Sequence, residues 1–152
     1  MTYEAALQKA AAYCSRSEHC RYEVQEKLVS WKVDELHHEK ILNYLEKEKY
    51  IDHKRYALAF VNDKFRYNKW GKIRLSIELQ RRRLDDEVVC TALSAIDEVD
   101  YQKTANELII NKMRGITYKD HYERDGKLYR FLAGRGFESD IIRNALQQLQ
   151  NS

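Results

Sequence analysis

The segment Leu79-Gln-Arg-Arg-Arg-Leu84-Asp85-Asp-Glu-Val-Val89 holds a pattern that the chain uses three times. A leucine is followed five residues later by an apolar residue and then an acid, and paired aliphatics open the next stretch. The other copies are Leu28 with Val33-Asp34 and Ile41-Leu42, and Leu132 with Phe137-Glu138 and Ile141-Ile142. A carboxylate just ahead of an apolar-periodic run is a helix cap. The apolar residue before it is placed to fold back on the first turn as a hydrophobic staple. In the first copy the aliphatic pair lies four residues further on, about one helical turn.

Working outward, each copy sits inside a longer helical passage. In the first passage Thr2 is placed to cap a helix with the apolar face Tyr3, Leu7, Ala10, Ala11 and Cys14. A polar break at Ser15–His19 follows, then a helix with Val24 and Leu28, and a third behind an Asp34 cap with Ile41, Leu42 and Leu45. The second passage starts at Asp52 with Tyr56, Ala57, Phe60, Val61 and Phe65, breaks at Gly71, continues with Ile73, Ile77 and Leu79 facing a core, and ends with Val88, Val89, Ala92 and Leu93 behind an Asp85 cap. The third starts at Asp100 with Ala105, Leu108, Ile109 and Met113, and runs through Leu128, Phe131 and Leu132 to Ile141, Ile142, Ala145 and Leu146. The reading is an all-α protein of three tandem three-helix, helix-turn-helix-like repeats at a spacing of about fifty residues. The expected repeats are residues 1–50, a basic repeat 51–98, and 99–152. Units this small cannot bury their faces alone, so an elongated, curved stack is expected. The stretch from Gly115 to Asp125 reads equally as loop or helix.

Composition agrees. Of 152 residues, 43% are hydrophobic and 34% charged, proline is absent and glycine occurs five times, which suits helices with a solvated exterior. No apolar run approaches the length of about 18 residues that suggests a membrane span. The N-terminus has neither the basic region nor the apolar core of a signal peptide. Cys14, Cys20 and Cys90 are odd in number and widely spaced, which suits reduced thiols in a cytoplasmic protein. Cys90, amid Val88, Val89 and Leu93, reads as a small buried hydrophobe.

The net charge of +3 is unevenly placed. Residues 64–83 hold Lys64, Arg66, Lys69, Lys72, Arg74, Arg81, Arg82 and Arg83 against Glu78 alone, a net of +7, while both flanks are acidic. This segment is the natural footprint for a polyanion. Catalytic chemistry finds no matching pattern. His19, His37, His38, His53 and His121 form no i, i+4 pair with a third ligand nearby, and no HExxH, paired CxxC, GxGxxG or phosphate-binding glycine loop occurs. No metal, cofactor or enzymatic activity is expected.

The second passage is also specific in its residues. Asp52, Arg55, Tyr56, Ala57, Phe60 and Val61, then Gly71, Arg74, Glu78 and Leu79, closely resemble the RecX family pattern of an Asp-x-x-Arg-Phe-Ala-x-x-Phe-Val helix followed by a Gly-x-x-(Arg/Lys)…Glu-Leu helix. The segment Ser15-Arg-Ser-Glu18 to Glu26-Lys-Leu28 matches the family's opening helix more loosely. Phe131-Leu-Ala-Gly-Arg-Gly-Phe137 resembles its closing Leu-x-x-Arg-Gly-Phe. The chain departs from the pattern at three points. Cys20 replaces a serine cap, which leaves that helix start weakly capped. Arg83 stands where a turn glycine is usual, and Gly134 where a second basic residue is usual.

The resemblance implies a negative regulator of homologous recombination, in DNA repair and the SOS response, that acts on the RecA recombinase. Three tandem repeats lie in the groove of the RecA–single-stranded-DNA filament and inhibit its ATPase and strand exchange. The residues' own charge and chemistry suit Lys64, Arg66, Lys69, Trp70, Lys72, Arg74, Arg81, Arg82, Arg83 and Arg135 to contact the acidic filament groove, the bound DNA or both; weak direct DNA binding, no membrane association and a monomeric state are also expected. Trp70 reads either as a buried anchor or as an exposed platform. A helix-turn-helix DNA-binding protein, with residues 72–83 as recognition helix, is the competing reading. A purely structural helical adaptor is the third.

Overall fold

The computed structural model describes residues 1–151. Among them are nine α-helices: α1 Tyr3–Arg16, α2 Arg21–Ser30, α3 His38–Lys47, α4 His53–Asn68, α5 Lys72–Arg81, α6 Asp86–Ser94, α7 Glu98–Met113, α8 His121–Gly134 and α9 Ser139–Gln150. No strand occurs among the described residues, so the fold is all-α as the sequence predicts.

The tripled leucine pattern is the turn that joins the second and third helix of each repeat. After α2, the Val33 amide donates to the Leu28 carbonyl at 3.0 Å and the Lys32 amide to Val29 at 2.9 Å. After α5, Leu84 bonds back to Leu79 and Arg83 to Gln80; after α8, Phe137 bonds back to Leu132 and Gly136 to Ala133. The residue before each returning apolar side chain is left-handed, with φ of 60° at Lys32, 61° at Arg83 and 93° at Gly136. This is a Schellman ending, in which the residue making the long backward bond also packs on the start of the last turn. The six side chains that define the pattern (Leu28, Val33, Leu79, Leu84, Leu132, Phe137) are all buried. Each is worth about 1.5–3 kcal/mol of burial, so the turn and the core stabilise each other. The extra length of the first copy is taken up by a short 3₁₀ turn, Glu35–His37, behind Asp34, whose side chain accepts from the Leu36 amide at 3.0 Å.

The chain packs as two compact units. The first comprises Met1–Phe60 with Leu79–Val89. Here α1, α2 and α3 enclose Ala6, Ala10, Val24, Leu28, Ile41, Leu42 and Leu45. Thr2 caps α1 through its hydroxyl, which accepts from Ala5 at 3.1 Å. The start of α2 is secured despite Cys20, because the Glu23 carboxylate accepts from the Cys20 amide at 3.2 Å and Cys20 is itself buried. His38 is a satisfied core histidine: its Nε2 donates to the Val33 carbonyl and its Nδ1 accepts from Gln25, both at 2.9 Å. Burial pushes the Cys14 and Cys20 thiols up to about 11, which makes them inert.

The second unit comprises Val61–Glu78 and the chain from Cys90 onward. Tyr101, Ala105, Ile109, Leu128, Leu132, Phe137 and Ile142 form its apolar interior within α7, α8 and α9. The cap of α7 is Asp97, whose side chain accepts from the Asp100 amide at 2.9 Å, in place of the expected Asp100. Tyr101, in the first turn after that cap, is buried. The Gly115–Asp125 question resolves as loop through Asp120, which caps α8 by accepting from Glu123 at 2.8 Å, and helix from His121.

Two core assignments are corrected. On α5 the buried pair is Leu75 and Leu79, whereas Ile73 is 48% and Ile77 44% exposed. Both pairs are four residues apart, so each makes a stripe, and a rotation of about 160° separates them. On α6 Cys90 is exposed, since Val89 and Ala92 take the buried side.

Candidate nucleic-acid and partner interface

The sequence groups the cations in one run, and the structure distributes them over both units. In the second unit they surround the start of α5. Gly71 lets two backbones meet there: a Cβ at this position would fall within the peptide of Gly136 and the amide of Phe137. The Gly71 amide donates to the Arg135 carbonyl at 2.8 Å and the Ile73 amide to Gly136 at 2.9 Å. Between them, the Lys72 amide donates to the Tyr101 hydroxyl at 2.8 Å, and that hydroxyl donates in turn to the Glu138 carboxylate. Burial first, and then the Glu138 bond, raises the Tyr101 pKa, so the phenol keeps its proton. Glu138 therefore serves Tyr101 and makes no side-chain cap on α9. The amides that a helix start normally leaves unpaired are here occupied by the α8–α9 turn and a tyrosine.

This clamp sets where the cations stand. The Lys72 ammonium lies 4.9 Å from the centre of the Tyr101 ring. The Arg74 guanidinium is 4.1 Å and the Lys64 ammonium 5.3 Å from the Trp70 ring centre, each a cation–π contact worth about 0.5–1 kcal/mol near a surface. Trp70 is half-buried, so it is neither a sealed core anchor nor an open platform. Arg66 and Lys69 are exposed, with Lys69 at φ 56° in the turn between α4 and α5. Arg135 is used structurally: it donates to the Asn68 carbonyl at 2.7 Å and lies 5.3 Å from the Phe131 ring centre.

In the first unit, Arg82 is half-buried, 3.8 Å from the Glu23 carboxylate and 4.9 Å from the Phe60 ring centre. Arg83 is exposed at its left-handed position and lies 5.1 Å from the Tyr22 ring centre. Arg81 is exposed. Sequence reasoning missed Tyr101, Glu138 and the pairing of Gly71 with Gly136. The available signal was two glycines, each next to a family-like motif, since glycine permits close backbone approach. Among the described residues no group of histidine, cysteine or acidic side chains is arranged to hold a metal, and no helix is long and apolar enough to cross a membrane.

Fold and site define a repeat protein of three-helix units with more than its whole net positive charge in one contiguous segment. Residues 52–93 match the second three-helix domain of RecX and residues 98–146 its third. A regulatory protein RecX of Chlorobium phaeobacteroides is 33% identical over 97% of this chain and 95% of its own length. One from Vibrio parahaemolyticus is 33% identical over 94% of the chain and 88% of its own length. For one from Clostridium botulinum identity is 32% over 85% of the chain, which spans only 61% of that relative. The crystal structure of RecX from Lactobacillus salivarius has the same fold, with a TM-score of 0.87 at 23% identity over 99% of this chain and 97% of that one. The chain belongs to the RecX family of regulatory proteins.

Proposed function

We propose that this chain is a negative regulator of homologous recombination that binds the RecA–single-stranded-DNA filament in the cytoplasm and inhibits its ATPase and strand exchange, with no catalysis of its own. Family membership supports the class of activity. The observation that carries the reading is the segment 64–83, with a net charge of +7, in which Arg66, Lys69, Arg74 and Arg81 are exposed. A nucleoprotein filament is an anionic partner, and arginine binds phosphates and carboxylates in a two-point geometry. The helix-turn-helix alternative is disfavoured by the placement of the cations. A recognition helix contacts bases through its N-terminal residues, whereas the cations here straddle the whole of α5, from Lys69 to Arg83.

The test is the single-strand-dependent ATPase of the cognate RecA, titrated with this protein below stoichiometry. Inhibition by the wild type is expected, and the Lys69→Ala/Arg74→Ala/Arg81→Ala variant is expected to lose it while retaining its helical circular dichroism. Unchanged inhibition by that folded variant rejects the basic segment as the contact. Absence of inhibition by the wild type, together with salt-sensitive DNA binding, rejects the filament reading.

A further inference from the structure

The exposed face of α5 carries a feature that a phosphate-binding helix does not require. Ile73 and Ile77 stand four residues apart, one turn above the other, and remain 48% and 44% exposed. Arg74 adjoins them on the same side of the helix, and its guanidinium is already ordered over the Trp70 ring at 4.1 Å. The result is a short apolar stripe edged by a prepositioned cation, all within Val61–Glu78 of the second unit.

We infer that this face docks on protein: an apolar surface of the recombinase protomer edged by carboxylates. The inference rests on the filament reading above and specifies which component of the filament the face meets. Three observations favour protein over nucleic acid. A single strand offers phosphates and base faces, and its binders present aromatic platforms to the bases; the Trp70 ring already has the Arg74 and Lys64 cations against it. Two β-branched aliphatics gain nothing from phosphate, but they gain free energy in proportion to the apolar area they lose to a protein surface. The charge of the same unit's stretch 64–78, five cations against Glu78 alone, selects an acidic edge around that apolar surface. An arginine ordered before binding also loses less side-chain entropy on docking.

The test compares the wild type with Ile73→Gln/Ile77→Gln, which leaves charge unchanged and substitutes a residue of good helix propensity at exposed positions. Binding is measured to a RecA filament assembled on oligo-dT with a non-hydrolysable ATP analogue, and separately to the bare oligo-dT. The expected result is filament affinity weakened by about tenfold or more, from the lost apolar burial, with oligo-dT affinity within about twofold of wild type and the thermal midpoint retained. Equal binding of the two proteins to the filament overturns the inference. So does a parallel loss on oligo-dT, which assigns the face to nucleic acid, or a wild-type dimer in light scattering that the variant dissolves, which assigns it to a second copy. Failure of the wild type to bind the filament at all is a different outcome, and rejects the function on which the inference rests. If the double variant unfolds, Ile73→Ala and Ile77→Ala measured singly give the same comparison.

Discussion

The turn after α2 and the turn after α8 have the same hydrogen bonds and the same left-handed residue, yet one is built on Lys32 and the other on Gly136. Lys32 is on the surface, where the cost of a left-handed side chain is a modest and local strain. Gly136 is buried against the start of α5, and a Cβ there would sit 2.5 Å from the Arg74 Cβ. The remaining copy, at Arg83, resembles Lys32: an exposed side chain at φ 61°, with the Tyr22 ring beside it. Left-handed backbone alone does not demand glycine in this fold. Glycine is required where a second backbone approaches.

If that distinction is correct, the largest effect belongs to Gly71→Ala. The obstacle there is the Gly136 and Phe137 backbone, which cannot turn aside as a side chain does. Urea unfolding should show a loss of about 3 kcal/mol or more, at the upper end for overpacking. Gly136→Ala should cost about 2–3 kcal/mol, from the left-handed strain plus the Arg74 contact. A loss below about 0.5 kcal/mol in either, the ordinary size of a surface substitution, would break the comparison.

Tyr101→Phe is a finer probe of the same junction. It keeps the buried ring but leaves the Lys72 amide and the Glu138 carboxylate without the partner they share. The expected cost is about 1–3 kcal/mol by denaturant titration, the usual penalty for a buried group left unpaired. Hydrogen exchange should accelerate most at Lys72. The smallest effect has the opposite sign. Lys32→Gly should stabilise by about 0.5–1 kcal/mol, because relief of left-handed strain exceeds the added chain entropy. Arg83→Gly should gain less, since it also gives up the Tyr22 contact. A gain at Arg83 equal to that at Lys32 would mean the Tyr22 contact contributes nothing.

The helices, their caps and the repeated turn were legible in the chain because each depends on neighbours within about two helical turns. Thr2 and Asp52 act as the caps their positions suggest; the Asp52 carboxylate, for example, accepts from the Arg55 amide at 3.1 Å. Asp34 instead caps the 3₁₀ turn ahead of α3, which itself has no side-chain cap. Errors arose where two local solutions compete equally. α5 carries two aliphatic stripes of the same period, and periodicity cannot choose between Ile73/Ile77 and Leu75/Leu79. Two acids, Asp97 and Asp100, stand at the start of α7, and the cap is Asp97.

By itself, the sequence determined an all-helical repeat protein with its excess positive charge in residues 64–83, since helix periodicity, capping and charge are properties of short stretches, and its motifs resemble those of the RecX family. Only the tertiary structure decided which of those cations are engaged and which face of α5 meets solvent. Those answers depend on contacts such as Lys72 to Tyr101, 29 residues apart, and Tyr101 to Glu138, 37 apart. Such pairs are brought together by packing, and no local preference of either residue encodes the meeting.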